Sequence, residues 1–132
     1  MARVIHAGVL PLANLEPLPG ARAETFRSVN EDPQALVVPA DGLTALRRGW
    51  FRLRLELRAI EGEVIAPCLY PDYGNGMSEL DRIDLPEPDP AGLIDTVIPL
   101  RGRLCALRLD PSTTRGVLRI ADVSFEPLTR PQ

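Results

Sequence analysis

Between Leu69 and Leu85 the chain gathers both of its tyrosines, Tyr70 and Tyr73, with Asp72, Asn75, Glu79, Asp81 and the glycines Gly74 and Gly76. These residue types can recognise a sugar. An aromatic face takes the C–H side of a pyranose ring, and planar polar side chains aim at its hydroxyls. The candidate carbohydrate contacts in this stretch are Tyr70, Asp72, Tyr73, Asn75 and Glu79. Trp50 is the sixth: it opens a regular strand out of phase with Phe51, and an exposed Trp at a strand end makes a ligand platform. Each has a plainer reading beside it. Gly74 and Gly76 permit positive φ in a long turn, with Ser78 and Glu79 bonding loop amides. Asp72 and Glu79 can also serve a structural calcium ion, although no recognised calcium spacing is present. Trp50 can simply cover the rim of the domain.

Covalent or metal chemistry finds little support. His6 is the single histidine, so a Ser–His–Asp or Cys–His arrangement would depend on it alone, and no nucleophile motif accompanies it. One histidine and two separated cysteines do not give zinc spacing. The several-histidine metal site of cupin-type enzymes is excluded by count. No catalytic residue, metal ligand or cofactor is assigned. Cys68 and Cys105 allow one disulfide in an oxidising compartment but not a disulfide framework. The favoured reading is two free thiols, with Cys105 sharing the face of Leu107 and Leu109 as a buried small hydrophobe.

The elements that must position these groups are short strands. Gly49 to Ala59 is the clearest: Phe51, Leu53, Leu55 and Leu57 line one face, and Arg52, Arg54, Glu56 and Arg58 the other. Such alternation places one face in a core and one in water, the habit of antiparallel sheets. The arginine row reads either as a basic face for an anionic partner or as a solvated face balanced by Glu56. Leu36–Val38, Val64–Tyr70, Gly92–Leu100, Leu104–Asp110 and Val117–Phe125 are further strands, with a bend at Pro67. Asp110-Pro111-Ser112 supplies turn chemistry between the last two, which read as strands joined by a short turn. Asp41 to Arg48 holds at most a short helix. Residues 1–30 read as an irregular N-terminal segment, with one strand hidden in Arg3 to Leu10, and residues 127–132 as an exit tail. Seven or eight short strands with regular turn signals predict an all-β fold, an antiparallel β-sandwich of jelly-roll, galactose-binding-like type, in one domain over 1–132.

Composition sets the outer limits. The 132 residues suffice for one core. A net charge of −3 and an aromatic content of 5% argue against a nucleic-acid footprint, which is basic and rich in stacking groups. All 15 basic residues are arginine, a compositional bias rather than a motif. Prolines and charges interrupt every apolar run before it reaches membrane-spanning length. The N-terminus lacks the apolar core and small-residue cleavage site of a signal peptide.

Four segments occur in order: Asp32-Pro33-Gln34, Gly49-Trp-Phe-x-Leu-x-Leu55, Leu69-Tyr-Pro-Asp-Tyr-Gly-x-Gly-Met-Ser-Glu79 and Leu107-Arg-Leu-Asp-Pro-x4-Gly116. The set resembles the β-sandwich accessory domains attached to bacterial glycosyltransferases of cell-surface polysaccharide synthesis, over roughly residues 30 to 125. The resemblance implies a carbohydrate-binding-module-like jelly roll that is not itself an enzyme. The implied partners are a glycan and a glycosyltransferase catalytic domain, in cis or in trans. It carries no binding residue over, and Met77 stands where relatives have an aromatic residue. The expected location is the cytoplasm, or the inner face of the membrane. The alternative function is a structural module for docking or homo-oligomerisation.

Overall fold

The computed structural model describes residues 3–129, and residues 1–2 and 130–132 lie outside that description. Ten strands follow in chain order: β1 (Ile5–Ala13), β2 (Leu15–Pro17), β3 (Thr25–Ser28), β4 (Gln34–Pro39), β5 (Gly49–Glu61), β6 (Cys68–Asp72), β7 (Ile83–Asp84), β8 (Leu93–Leu100), β9 (Ala106–Asp110) and β10 (Val117–Pro127). The only helical pieces among the described residues are two single 3-10 turns, Leu43–Ala45 and Glu79–Asp81. No helix among them is long and apolar enough to cross a membrane.

The fold is all-β, and every strand pair is antiparallel. Hydrogen bonding sets the strands in two runs of four, β3-β10-β5-β8 and β4-β9-β6-β7. β2 extends the first run beyond β3, and β1 links the two. The link depends on one irregularity in β10. Along Val117–Arg119 its edge pairs with β3, and along Val123–Phe125 the same edge pairs with β1. Between them Asp122 turns to φ 55° and the register with β5 shifts. A bulge of this kind bends a strand and increases its twist, which lets one edge serve two partners in succession.

One core cluster draws on both runs. Phe51, Leu53, Leu55 and Leu57 of β5 lie with Leu107 and Leu109 of β9, Ile94 and Ile98 of β8, and Leu69 of β6. Phe51 and Phe125 meet edge to face at 6.4 Å between centroids, a preferred aromatic geometry. A single core shared between two four-stranded runs is a β-sandwich-like arrangement.

Four expectations change. The N-terminal segment is less irregular than expected: the strand expected within Arg3 to Leu10 is present as β1, and β2 and β3 follow it. Pro11 is accommodated where β1 has already parted from β10 and where its register with β4 shifts, so the missing amide leaves no ladder bond unmade. The strand expected over Val64–Tyr70 begins only at Cys68; Ala66 lies at φ 52° and Pro67 follows it. β9 and β10 are not paired to each other. β9 pairs with β4 and β6, while β10 pairs with β1, β3 and β5. The segment between them is a crossing, tied down where Ser112 Oγ accepts from the Ile65 amide and donates to the Glu63 carbonyl. Finally, Cys105 is exposed: it precedes β9, so strand alternation does not reach it, and its amide donates to the Asp72 carbonyl. Both cysteines are free thiols. Of the tail, Leu128 still donates its amide to the Trp50 carbonyl, and residues 130–132 are outside the described chain.

Candidate functional site

The Leu69–Leu85 stretch leaves β6 and folds back over the outer face of that strand. Asp72 starts the reversal: its Oδ1 accepts from the amides of Gly74 at 2.8 Å and Gly76 at 3.0 Å. Both glycines have positive φ, 115° and 82°, the backbone region that a side chain would disfavour. Ser78 Oγ then accepts from the Leu80 amide and starts the 3-10 turn Glu79–Asp81. That turn lies across Tyr70. The Tyr70 hydroxyl donates to Glu79 Oε1 at 2.6 Å, and Arg82 bridges Glu79 at 2.8 Å and Asp84 at 3.0 Å. From the neighbouring strand, the Arg108 guanidinium sits 4.4 Å from the Tyr70 ring centroid, within cation–π range. Arg108 also pairs with Asp110 through two hydrogen bonds of 2.8 and 3.0 Å, the fork geometry that arginine offers a carboxylate.

The six candidate residues therefore part company. Tyr70 is buried, its hydroxyl engaged by Glu79 and its ring faced by Arg108. Tyr73 packs against the core, and its hydroxyl accepts the Arg101 amide at 3.0 Å. Asp72 closes the loop. Glu79 serves Tyr70 and Arg82. Asn75 stands exposed at the loop tip. Trp50 is 46% exposed on the outer face of β5, apart from the tyrosine network. No aromatic platform unites Trp50 with the tyrosines. The arginine row of β5 is also largely neutralised: Arg52 and Arg54 meet Asp95, and Arg58 meets Glu56.

Beside Tyr70 opens a cavity of about 540 Å³, lined among others by Asp32, Arg82, Asp84, Glu87 and Asp110. Glu31 and Cys68 also border it. Five carboxylates and one guanidinium give many hydrogen-bond acceptors and a few fixed donors, a set suited to hydroxyl groups. Burial pushes the Asp110 carboxyl above its usual range even though Arg108 opposes it. The hydrogen bond to Glu79 and burial push Tyr70 up to about 12. Burial, with Asp110 nearby, pushes the Cys68 thiol up to about 11. A thiol so raised is protonated at neutral pH and is a poor nucleophile. Among the described residues, no group of three or more His, Cys, Asp or Glu side chains is placed to hold a metal ion.

Sequence reasoning found Tyr70 but missed most of its companions in the cavity. Asp110 was legible only as turn chemistry, and Arg82, Asp84 and Glu87 carried no motif. What brings them together is the fold-back of the Leu69–Leu85 stretch, a tertiary event with no local periodicity. A scan of family models, and searches of curated proteins and of solved structures, find no match to this chain.

Proposed function

We propose that this chain is a non-catalytic, glycan-binding accessory module of jelly-roll type, acting beside a bacterial glycosyltransferase domain in surface polysaccharide synthesis in the cytoplasm. The strand orders β3-β10-β5-β8 and β4-β9-β6-β7 support the jelly-roll reading, which pairs two four-stranded sheets through Greek-key connections. The observation that carries the ligand class is the cavity beside Tyr70, with its ring of Asp32, Arg82, Asp84, Glu87 and Asp110. Its excess of carboxylates favours neutral or amino sugars over acidic ones. The four sequence segments resembling transferase accessory domains supply the biological setting. Calorimetric titration with neutral fragments of bacterial surface polysaccharides tests the reading. Saturable millimolar or tighter binding, weakened by Asp84→Ala and by Glu87→Ala, is the expected result. Absence of saturable binding across such fragments at tens of millimolar would sink it.

A second reading, a docking or homo-oligomerisation module, is favoured by one specific observation. Leu10 and Leu12 of β1 and Val38 of β4 share an outward face and are 56%, 46% and 43% exposed. Under this reading sedimentation shows concentration-dependent assembly that Leu10→Arg abolishes, and a monomer at every concentration removes it.

A further inference from the structure

At the end of the β6–β9 ladder away from the cavity beside Tyr70, two loops present arginines that have no carboxylate partner among the described residues. Eight arginines of this chain lie within 4.0 Å of a carboxylate among the described residues: Arg3, Arg27, Arg52, Arg54, Arg58, Arg82, Arg108 and Arg119. Arg47, Arg48, Arg101 and Arg103 have no such neighbour there, although the protein as a whole is net negative. Three of them, Arg47, Arg48 and Arg103, line one cavity of about 260 Å³ together with Thr44.

The loops that carry them are anchored from below. Leu46, 1% exposed, immediately precedes Arg47, and buried Leu104 immediately follows Arg103. The Tyr73 hydroxyl holds the Arg101 amide, and Gly102 lies against the Tyr73 ring. The arginine backbones are thus fixed by core contacts rather than by their own charges. Three guanidinium groups around one concavity repel one another unless an anion joins them. Arginine's planar fork matches the oxygens of a phosphoryl group two at a time, and the Thr44 hydroxyl can donate a further bond.

We propose that Arg47, Arg48, Arg103 and Thr44 form a binding site for a phosphoryl group. The site lies apart from the cavity beside Tyr70 and does not depend on the glycan reading: it would take an anion, whereas that cavity would take neutral hydroxyls. The phosphoryl group has two sources, a soluble phosphate ester or a lipid headgroup.

Trp50, the single tryptophan of the chain, lies two residues from Arg48 and is half-exposed, so its fluorescence reports on the site. The intact chain is titrated at low ionic strength with inorganic pyrophosphate, and in parallel is sedimented with phosphatidylglycerol vesicles, using phosphatidylcholine vesicles as the neutral control. The expected result is saturable binding that weakens as salt rises. The combined variant Arg47→Gln, Arg48→Gln and Arg103→Gln loses affinity by roughly tenfold or more, since hydrogen bonds to charged groups are the strong ones. Arg115→Gln, an exposed arginine beyond the opposite end of β9, leaves affinity unchanged. Response to pyrophosphate alone identifies a soluble phosphate ester, and additional capture by the anionic vesicles identifies a headgroup. Binding of neither, or binding undiminished in the triple variant, overturns the proposal. Because the three side chains are exposed, their replacement leaves the core intact, and a circular dichroism melt matching the wild type verifies this.

Discussion

β5 and β6 both contribute to the core, yet they treat their outer faces in opposite ways. β5 turns Phe51, Leu53, Leu55 and Leu57 inward and leaves Arg52, Arg54 and Arg58 in water, where Asp95 and Glu56 meet them. β6 is buried along Cys68–Pro71, because the chain after Asp72 folds back over it. The difference shows that a strand's outer face is decided by the loop that follows it. It also shows where loop chemistry goes. Asp72 holds Gly74 and Gly76, Ser78 holds Leu80, Glu79 holds Tyr70 and Tyr73 holds Arg101. Groups that looked free for a ligand keep the covering segment in place, and of them only Tyr70 also lines the cavity.

The largest effect separates the two faces of β5. Leu57, fully buried, loses about 2–5 kcal/mol on Leu57→Ala through lost burial and the cavity left behind, and urea unfolding measures it. An equally small change for Arg54→Ala and Leu57→Ala would break the comparison. Next comes the covered face of β6, which responds to alkali. Tyr70 and Cys68 hold their protons more tightly when folded, up to about 12 and about 11. The stability this gives is fully present at neutral pH and is lost as pH rises from about 9 towards 12. The two groups together account for a loss on the order of 1–3 kcal/mol, the Tyr70 share being reduced because its partner carboxylate is exposed to solvent. Stability measured against pH falls over this window in the wild type and falls less in a Tyr70→Phe, Cys68→Ala variant. A smaller effect belongs to the Tyr70–Glu79 bond itself. At pH 7 Tyr70→Phe costs about 1 kcal/mol, the exposed carboxylate keeping the figure low, and hydrogen exchange at Leu80 and Arg82 rises as the covering turn loosens. The smallest effect lies on the wet face of β5. Hydrogen bonding to Arg52 holds the Asp95 carboxyl below its usual range. Its contribution is present above the ordinary carboxylate pKa and fades as pH falls through the lowered value. Acid titration of the wild type against Arg52→Gln reads it, and identical acid limbs would show that the pair adds nothing.

The strands easiest to read were those with one wet face. β5 and β8 fall close to their expected bounds because alternation survives in the sequence wherever water does; β10 also falls close to its bounds, although Val117–Ala121 is buried on both faces. The strand expected within Arg3 to Leu10 is β1, but its run past Pro11, and β2 and β3 after it, were hidden by prolines 11, 17 and 19, whose cost depends on which edge of a strand is paired, and that is a property of the assembled sheet. The Asp110-Pro111-Ser112 turn was recognised as a turn, but its destination was not: the bonds from Ser112 and Thr114 to Glu63 and Ile65 carry the chain across the fold instead of back along β9. For the candidate site, the residue types in the Leu69–Leu85 stretch were legible and their partners were not. Tyr70 and Glu79 are nine residues apart and share no helical or strand spacing, so only the fold-back pairs them.

β10 hydrogen-bonds with β1, β3 and β5, and it comes after all three in the chain. During synthesis, an emerging polypeptide therefore carries three strands whose shared neighbour has not yet been made. Until Val117–Pro127 leaves the ribosome, the edges meant for it stay open to stray pairing. Pairing of β1, β3 and β5 is complete only once Val117–Pro127 has been made, and a ribosome stall before Val117 leaves a product prone to clump rather than a smaller working fold.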